Sequence, residues 1–399
     1  MDVLSFFFWA SFSILFFCYT GYGMLLYVFN AIRSVFKANK PVKTNEEFPV
    51  TLIIAAYNEE AVLAQKLSNS LAIDYPREKL AIIFITDGST DGSAGIIEAC
   101  PSVMLLHQSV RKGKAAAIKR AMQFVQTPVV IFSDANTLLN KECIRQLTAH
   151  YADPKVGGVA GEKKIMSLND SEMVGVGEGE GLYWQYESFM KKQDTGFYTV
   201  VGAAGELFSI RRSLFRELPD DLILDDFVLS MQVCLQGYKI AYEPKAFAIE
   251  SPSASLREEE KRKVRIAAGA YQSIGYLQSC LNIFKHPLLT FQYISRRFLR
   301  WVCCPLLLVV LLVVNILLVY KEAAIGYYAM FLYFQLLFYC AALIGWRLIS
   351  TGKKAGLLTI PFYFVFMNYC LIKGFFKFIK GRQSVLWEKS LRQGIVSSQ

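Results

Sequence analysis

Two adjacent carboxylates, Asp225 and Asp226, stand in Leu218–Phe227 beside Asp220 and Asp221, just ahead of the helical run Val228–Gln236. Like charges packed this closely are costly unless a cation or a raised pKa relieves them, which marks a candidate general base and metal site. First-turn aspartates capping a helix are the plainer use of the same residues. Four further loops carry polar residues able to hold a charged ligand. Tyr57-Asn58-Glu59 can cap the following helix or contact a ligand, and Asp87-Gly88-Ser89-Thr90-Asp91 reads as a nucleotide-binding turn with Asp87 suited to a base or ribose. Lys112-Gly113-Lys114 opens a helix with a cation, which opposes the helix dipole unless an anion such as phosphate sits nearby. Ser133-Asp134-Ala135-Asn136 sets two oxygen ligands, Asp134 and Asn136, two residues apart, a spacing that suits a hard divalent ion against a diphosphate. Gly202-Ala203-Ala204-Gly205-Glu206 lets a substrate approach the backbone closely, or is a plain turn.

The elements that must position these loops follow from periodicity. Thr51–Ala56, Leu80–Thr86 and Val129–Ser133 read as buried strands, and Glu60–Leu71, Gly92–Cys100 and Lys114–Val125 as helices between them. Strand–helix alternation predicts an α/β domain with a parallel sheet, whose ligands bind at the carboxyl ends of the strands. Each candidate loop near the N-terminal end directly follows a strand or opens a helix. Asp87 to Glu98 also imitates a calcium-binding EF-hand loop, but a strand precedes it where that motif needs a helix. The glycine run at 175–181 follows no predicted strand, so the dinucleotide fingerprint is rejected.

Composition sets the frame. The 399 residues carry 43 Lys+Arg against 33 Asp+Glu, a formal charge of +10, yet 54% are hydrophobic, 14% aromatic and only 19% charged. That is too apolar for an ordinary soluble enzyme. The basic residues gather beside apolar segments, as on the cytoplasmic side of membrane proteins, and not over a soluble face as a nucleic-acid binder requires. Residues 3–32 hold no charge, and uncharged stretches recur at 301–320, 323–346 and 355–372. A span needs about 20 apolar residues. A cleaved signal peptide is disfavoured, because Asp2 stands where Lys or Arg belongs and the run is too long. The nine cysteines form no CxxC, and only three histidines exist, so chemistry must rest on carboxylates.

The expected organisation is an N-terminal transmembrane helix (1–36), a linker (37–48), a cytoplasmic α/β domain (49–275), an interfacial amphipathic helix (276–300), a C-terminal transmembrane region of about three helices (301–380) and a basic tail (381–399). Asn282–Arg300 alternates apolar residues with Lys285, Arg296, Arg297 and Arg300, the pattern of a helix lying in the membrane interface. One conflict stands. Basic residues after the first span put the domain in the cytoplasm, and three later spans would then carry the basic tail outside. Either the last segment is re-entrant or interfacial, or the charge rule fails; the tail leans to the cytoplasmic side.

In this order the loops resemble the inverting family 2 glycosyltransferases of GT-A fold, above all their membrane-embedded branch, the cellulose, chitin, hyaluronan and poly-N-acetylglucosamine synthases. The resemblance covers about residues 49–275. It implies that Tyr57, Asn58, Glu59, Asp87, Ser89 and Lys114 bind the nucleotide-sugar, and that Asp134 does so with a Mg²⁺ or Mn²⁺ shared with Asn136. It further implies that Asp225-Asp226 is the family's acidic pair with Asp226 the base, and that Gly202, Gly205 and Glu206 face the acceptor. Arg262-Lys263-Val264-Arg265-Ile266 looks like the family's Gln-x-x-Arg-Trp motif, Arg262 and Arg265 pairing with the diphosphate. Asn136 departs from the final Asp of the metal motif, Asp225 replaces Glu, and Ile266 replaces the Trp that stacks on the acceptor sugar, which puts processivity in question. The implied function is transfer of a sugar, UDP-linked by expectation, to a growing polysaccharide at a bacterial-type inner membrane. Accessory secretion subunits would be possible partners, beside the saccharide or lipid-linked acceptor and membrane lipids. The alternatives are single transfer to a polyprenyl phosphate or glycolipid, and a non-catalytic nucleotide-sensing scaffold. Tyr183, Trp184 and Tyr186 are candidates for the acceptor side.

Overall fold

A computed structural model describes residues 2–36, 46–166, 174–322 and 326–381. Most of the expected linker and the basic tail beyond Gly381 lie outside the described residues. Eight strands form one mixed sheet: β1 (Val50–Ala56), β2 (Leu80–Asp87), β3 (Met104–Gln108), β4 (Val129–Asp134), β5 (Thr137–Leu139), β6 (Val156–Ile165), β7 (Phe208–Arg211) and β8 (Lys239–Glu250). Their order is β3-β2-β1-β4-β7-β6-β8-β5. The first four run parallel, with Ala56 beside Thr86 and Ala55 beside Asp134. β7 then turns antiparallel to β4 and β6.

Alternation along the central strands feeds one apolar core on each sheet face. Ile53, Ile83, Ile85, Val130 and Phe132 face the helices Lys114–Met122 and Asp225–Leu235. Leu52, Ile54, Phe84, Val129 and Ile131 face Glu60–Leu71 and Cys143–Thr148. Each such side chain contributes roughly 1.5–3 kcal/mol by burial. The three strands legible in the sequence are these continuous apolar runs. β6 was not legible because Gly157, Gly158 and Gly161 depress its strand signal; yet a Cβ at Gly157 would sit 2.6 Å from both Tyr238 Cβ and Val233 Cγ1, so close packing requires the glycine.

Among the described residues four helices are long and apolar enough to cross a membrane: Val3–Phe36, Pro287–Lys321, Tyr327–Ser350 and Gly356–Ile379. One is N-terminal and three are C-terminal. The glycine run at 175–181 belongs to a long helix, Val174–Phe197, wedged between the domain and these helices. A Cβ at Gly179 would lie 2.6 Å from the Tyr363 ring of the last helix, so the run serves a close helix crossing.

The separate interfacial helix expected at 276–300 takes another form. Leu256–Tyr276 is one helix, a short turn follows, and Pro287–Lys321 runs unbroken from the amphipathic stretch into the apolar span. Arg296 and Arg300 are buried, not spread over headgroups. Arg296 lies 2.7 Å and Arg300 2.9 Å from the Glu187 carboxylate, and Arg296 also reaches Asp194 at 3.4 Å. Buried charges persist only when paired in this way.

Candidate active site

β1 lies between β2 on one side and β4 on the other, so the crevice at its carboxyl end is the topological switch point where open α/β sheets bind ligands. The first two loops are laced together there. Asn58 carries φ of 53°, the one positive value on a non-glycine among the described residues, and its side-chain oxygen accepts the Thr90 N–H at 2.8 Å. The Asn58 N–H donates to Ser89 Oγ at 3.1 Å and the Glu59 N–H to Ser93 Oγ at 3.0 Å. Such local strain is held only where surroundings over-determine it. The Tyr57 ring is stacked by the Arg111 guanidinium, 3.4 Å from its centroid.

Asp87, expected to bind base or ribose, is buried and holds the third loop. Its carboxylate accepts the Lys112 N–H at 3.1 Å and the Gly113 N–H at 2.6 Å. That clamp sets the start of helix Lys114–Met122 and aims Lys114 across the crevice, where its Nζ meets Asp134 Oδ1 at 2.6 Å. Ser133 and Thr137, on either side of the Asp134 turn, are gripped from behind by Lys66, whose fully buried ammonium donates to Ser133 Oγ at 2.8 Å and the Thr137 carbonyl at 2.7 Å. Burial pushes Lys66 down to about 7.

The charged groups converge on a residue without a side chain. A Cβ at Gly205 would stand 2.9 Å from Lys114 Nζ, 3.2 Å from Asp226 Oδ2 and 3.7 Å from Asp134 Oδ2. Gly202 makes the same point with φ of +90°: a Cβ there would fall 2.1 Å from the Phe227 ring. Burial, then the Asp225 charge, push Asp226 up to about 7 against the pull of Lys114. Burial raises Asp225 as well. Lys114 is held protonated: burial alone would lower it, but Asp134, Asp225 and Asp226 outweigh burial and raise it. A carboxylate that titrates near neutrality beside a fixed cation can take a proton from a hydroxyl.

The remaining predicted residues divide. Burial lowers Arg265, the charges of Asp225 and Asp134 act against that, and its buried Nε has no hydrogen-bond partner, an arrangement that awaits an anion. Arg262, expected to join it, lines the same cavity as Asp226 while it is bonded to Glu259 at 3.1 Å and paired with Glu180, pinning helix Leu256–Tyr276 to the long helix. Glu206 faces Lys163 at 2.5 Å. Asn136 gives its amide to Glu250 at 3.4 Å. Among the described residues no three His, Cys, Asp or Glu gather as a metal cage. Asp134 nonetheless fits Mg²⁺ or Mn²⁺, which are usually bound through one or two carboxylates plus substrate phosphates, and the Gly205 pit leaves room beside it.

From Asp226 a cavity of about 500 Å³ extends between the apolar helices. Tyr183, Trp184 and Tyr186 line it, as do Arg297, Arg300 and Trp301, which the sequence reading did not place at the site. Arg297, Arg300 and Trp301 stand at i, i+3 and i+4, one helical face, and that spacing was the available signal. The Trp301 ring meets Phe227, next to Asp226, edge-on at 5.2 Å, and the Tyr271 hydroxyl donates to the Trp301 carbonyl at 2.6 Å.

The loops of this strand-end crevice from Tyr57 to Glu206 lie within residues 51–219, which match the family described as "Glycosyl transferase family 2". It is over these residues, and not over the chain as a whole, that the likeness to the family extends. It is similar to the poly-beta-1,6-N-acetyl-D-glucosamine synthase of Staphylococcus aureus (strain COL), 26% identical over 260 residues, which cover 63% of this chain and 61% of the relative. The synthase of the same name from Staphylococcus epidermidis is 25% identical over 233 residues, 56% of this chain and 55% of the relative. The chain thus spans about three fifths of the length of these curated relatives. In fold it is similar to the mannosyltransferase PcManGT from Pyrobaculum calidifontis, solved in complex with GDP-Man and Mn²⁺. Here the TM-score is 0.69 and the identity 20%, over 95% of this chain and 100% of that one.

Proposed function

We propose that this chain is an inverting glycosyltransferase that moves a sugar from a nucleotide-diphospho-sugar to a growing polysaccharide at the membrane. The observation that carries the reading is the convergence of Lys114, Asp134 and Asp226 on Gly205, at the mouth of an aromatic-lined cavity that leads between the apolar helices. The curated relatives are named as polysaccharide synthases, which favours a polymer product. In the reaction, Asp226 accepts the proton of an acceptor hydroxyl as its oxygen forms a bond to the anomeric carbon. The bond from that carbon to the diphosphate oxygen breaks on the opposite face, so configuration inverts and a nucleoside diphosphate leaves. Lys114 and the unpartnered Arg265 Nε meet the negative charge gathering on the leaving group. Asp134 would hold a Mg²⁺ or Mn²⁺, which would supply Lewis-acid neutralisation of the same charge. The Gly202–Glu206 segment bounds the acceptor side, and Trp301 supplies a flat face for an acceptor ring that Ile266 cannot.

Single transfer to a polyprenyl phosphate or glycolipid is the second reading, favoured by the apolar wall that Ile266, Ile360 and Met367 give the cavity. The reading puts the catalytic domain on the cytoplasmic face of a bacterial-type inner membrane, with accessory secretion subunits among its partners. The test is nucleoside diphosphate release by the detergent-solubilised chain offered UDP- and GDP-sugars with Mg²⁺ or Mn²⁺. Turnover with one donor, absent in Asp226→Asn, supports the reading, and sizing the product separates polymer from single transfer. Bound nucleotide without turnover of any donor, with acceptor lipids supplied, would leave the scaffold reading instead.

A further inference from the structure

Lys66 is a buried charged group for which the reaction above has no use. It stands on helix Glu60–Leu71, on the sheet face opposite helix Lys114–Met122, and is fully buried. Its ammonium meets three uncharged oxygens: Ser133 Oγ at 2.8 Å, the Thr137 carbonyl at 2.7 Å and Thr137 Oγ1 at 3.3 Å. Those three acceptors match the three hydrogens of an ammonium. Burying a cation against neutral oxygens is costly, and an apolar side chain would fill the same place without that cost. The ammonium therefore does something that an apolar side chain cannot.

An ammonium donates and never accepts. Ser133 and Thr137 must therefore turn lone pairs towards Lys66 and their own hydrogens away from it. The Ser133 hydroxyl then donates to the Glu206 carbonyl at 3.1 Å, and the Thr137 hydroxyl to the Asp134 carbonyl at 2.9 Å. One buried cation thus sets the direction of the bonds that tie down two segments. The first is the turn carrying Asp134, and the second is Gly205–Glu206. Their approach shapes the Gly205 pit, where a Cβ would stand 3.7 Å from Asp134 Oδ2 and 2.9 Å from Lys114 Nζ. Lys66 has no exposed surface, so it meets no ligand and acts only through the oxygens it holds. We propose that Lys66 is a positioning residue, fixing the Asp134 turn for a divalent ion and holding Gly205–Glu206 at its distance from that turn. This role presupposes that the crevice takes a nucleotide-diphospho-sugar.

Binding read with and without metal isolates the role from turnover and from general stability. The full chain in detergent is titrated with UDP and with GDP, in EDTA and in Mn²⁺, and each variant's thermal unfolding is recorded. In the wild-type chain Mn²⁺ should tighten the binding of one nucleotide. Lys66→Met keeps most of the apolar stem and loses the donors. It should leave the metal-free affinity unchanged and cut the Mn²⁺-dependent gain about tenfold or more, as loss of groups that orient a metal ligand does. Ser133→Ala removes one leg of the network without touching a charge and should cut the gain by less. That variant carries the test if Lys66→Met does not fold. A gain preserved in folded Lys66→Met, or in Ser133→Ala where Lys66→Met does not fold, would overturn the role. Equal loss with and without Mn²⁺ would reduce Lys66 to a prop of the fold and overturn it too. A wild-type chain that binds neither nucleotide with Mn²⁺ would bring down the reading of the crevice, and the role with it. A failure confined to Lys66→Met leaves that reading standing.

Discussion

Asp226 is a carboxylate whose surroundings oppose its charge. Its pKa stands at about 7, raised by burial and then by Asp225. The native state therefore binds a proton that the unfolded chain releases near pH 4, and stability drains away as pH rises from about 4 through 7. Asp226→Asn keeps the shape without the charge. It should raise the thermal midpoint at pH 8, by roughly 1–3 kcal/mol of stability, and change it little at pH 4. The same variant should lose glycosyl transfer while nucleotide binding persists; equal loss of both would remove Asp226 from the base role. For transfer the sign reverses, since a base must be deprotonated: the wild-type rate should fall as pH drops below about 7. Arg265 makes a separate claim. With its buried Nε lacking a partner, Arg265→Leu should weaken donor binding without unfolding the domain, which a nucleotide titration against a melting curve resolves.

Glu187 shows what an element contributes that a loop cannot. It sits on the long helix Val174–Phe197 and faces Arg296, Arg297 and Arg300 on Pro287–Lys321. Burial would raise its pKa, but the three guanidinium groups overcome that and hold it well below the usual carboxylate range. Glu187→Gln leaves three buried arginines short of one charge, and breaking such a cluster costs about 3–5 kcal/mol. The expected result is a large drop in the detergent-state melting temperature. Glu187→Gln combined with Arg300→Met should recover part of it, and no recovery would mean that the loss has another source. This junction also marks where the sequence becomes illegible. β1, β2 and β4 show themselves as continuous apolar runs, and Asp225-Asp226 by their crowding. Glu187 is an ordinary helical glutamate until the arginines more than a hundred residues later fold against it. β8 hides for the same reason: Glu250 is explained by distant partners, Lys163 of β6 and Asn136. Trp301 shows in sequence only through its spacing from Arg297 and Arg300, because its role belongs to the cavity.

At the scale of the whole molecule, the helices bear on the charge conflict of the basic tail. Asp2 pairs with Lys321, so the beginning of the first apolar helix meets the end of the second, and both lie at the end remote from the domain. Tyr327–Ser350 returns from there, its Gly345 packed against Leu358 and Phe362. The last helix packs along the domain. The Tyr363 hydroxyl donates to Glu259 at 2.9 Å, Lys373 reaches Glu260 at 2.5 Å, a Cβ on Gly374 would sit 2.4 Å from Ala267 Cβ, and the Phe375 ring lies 5.2 Å from Tyr271. Across these contacts it stays on helix Leu256–Tyr276 of the catalytic domain. A segment apolar enough to span can lie in the interface when protein covers one flank and lipid the other. We propose three crossings and one interfacial helix, an arrangement that would keep Lys380 on the domain's side, in keeping with the basic residues after the first span. Cysteines introduced at Lys354 and Lys380 should both react with a membrane-impermeant maleimide in inverted vesicles, and one introduced at Gly326 only in right-side-out spheroplasts, with the native chain as background. Labelling of Lys380→Cys from the same side as Gly326→Cys would make the last helix a fourth crossing and return the tail to the outside.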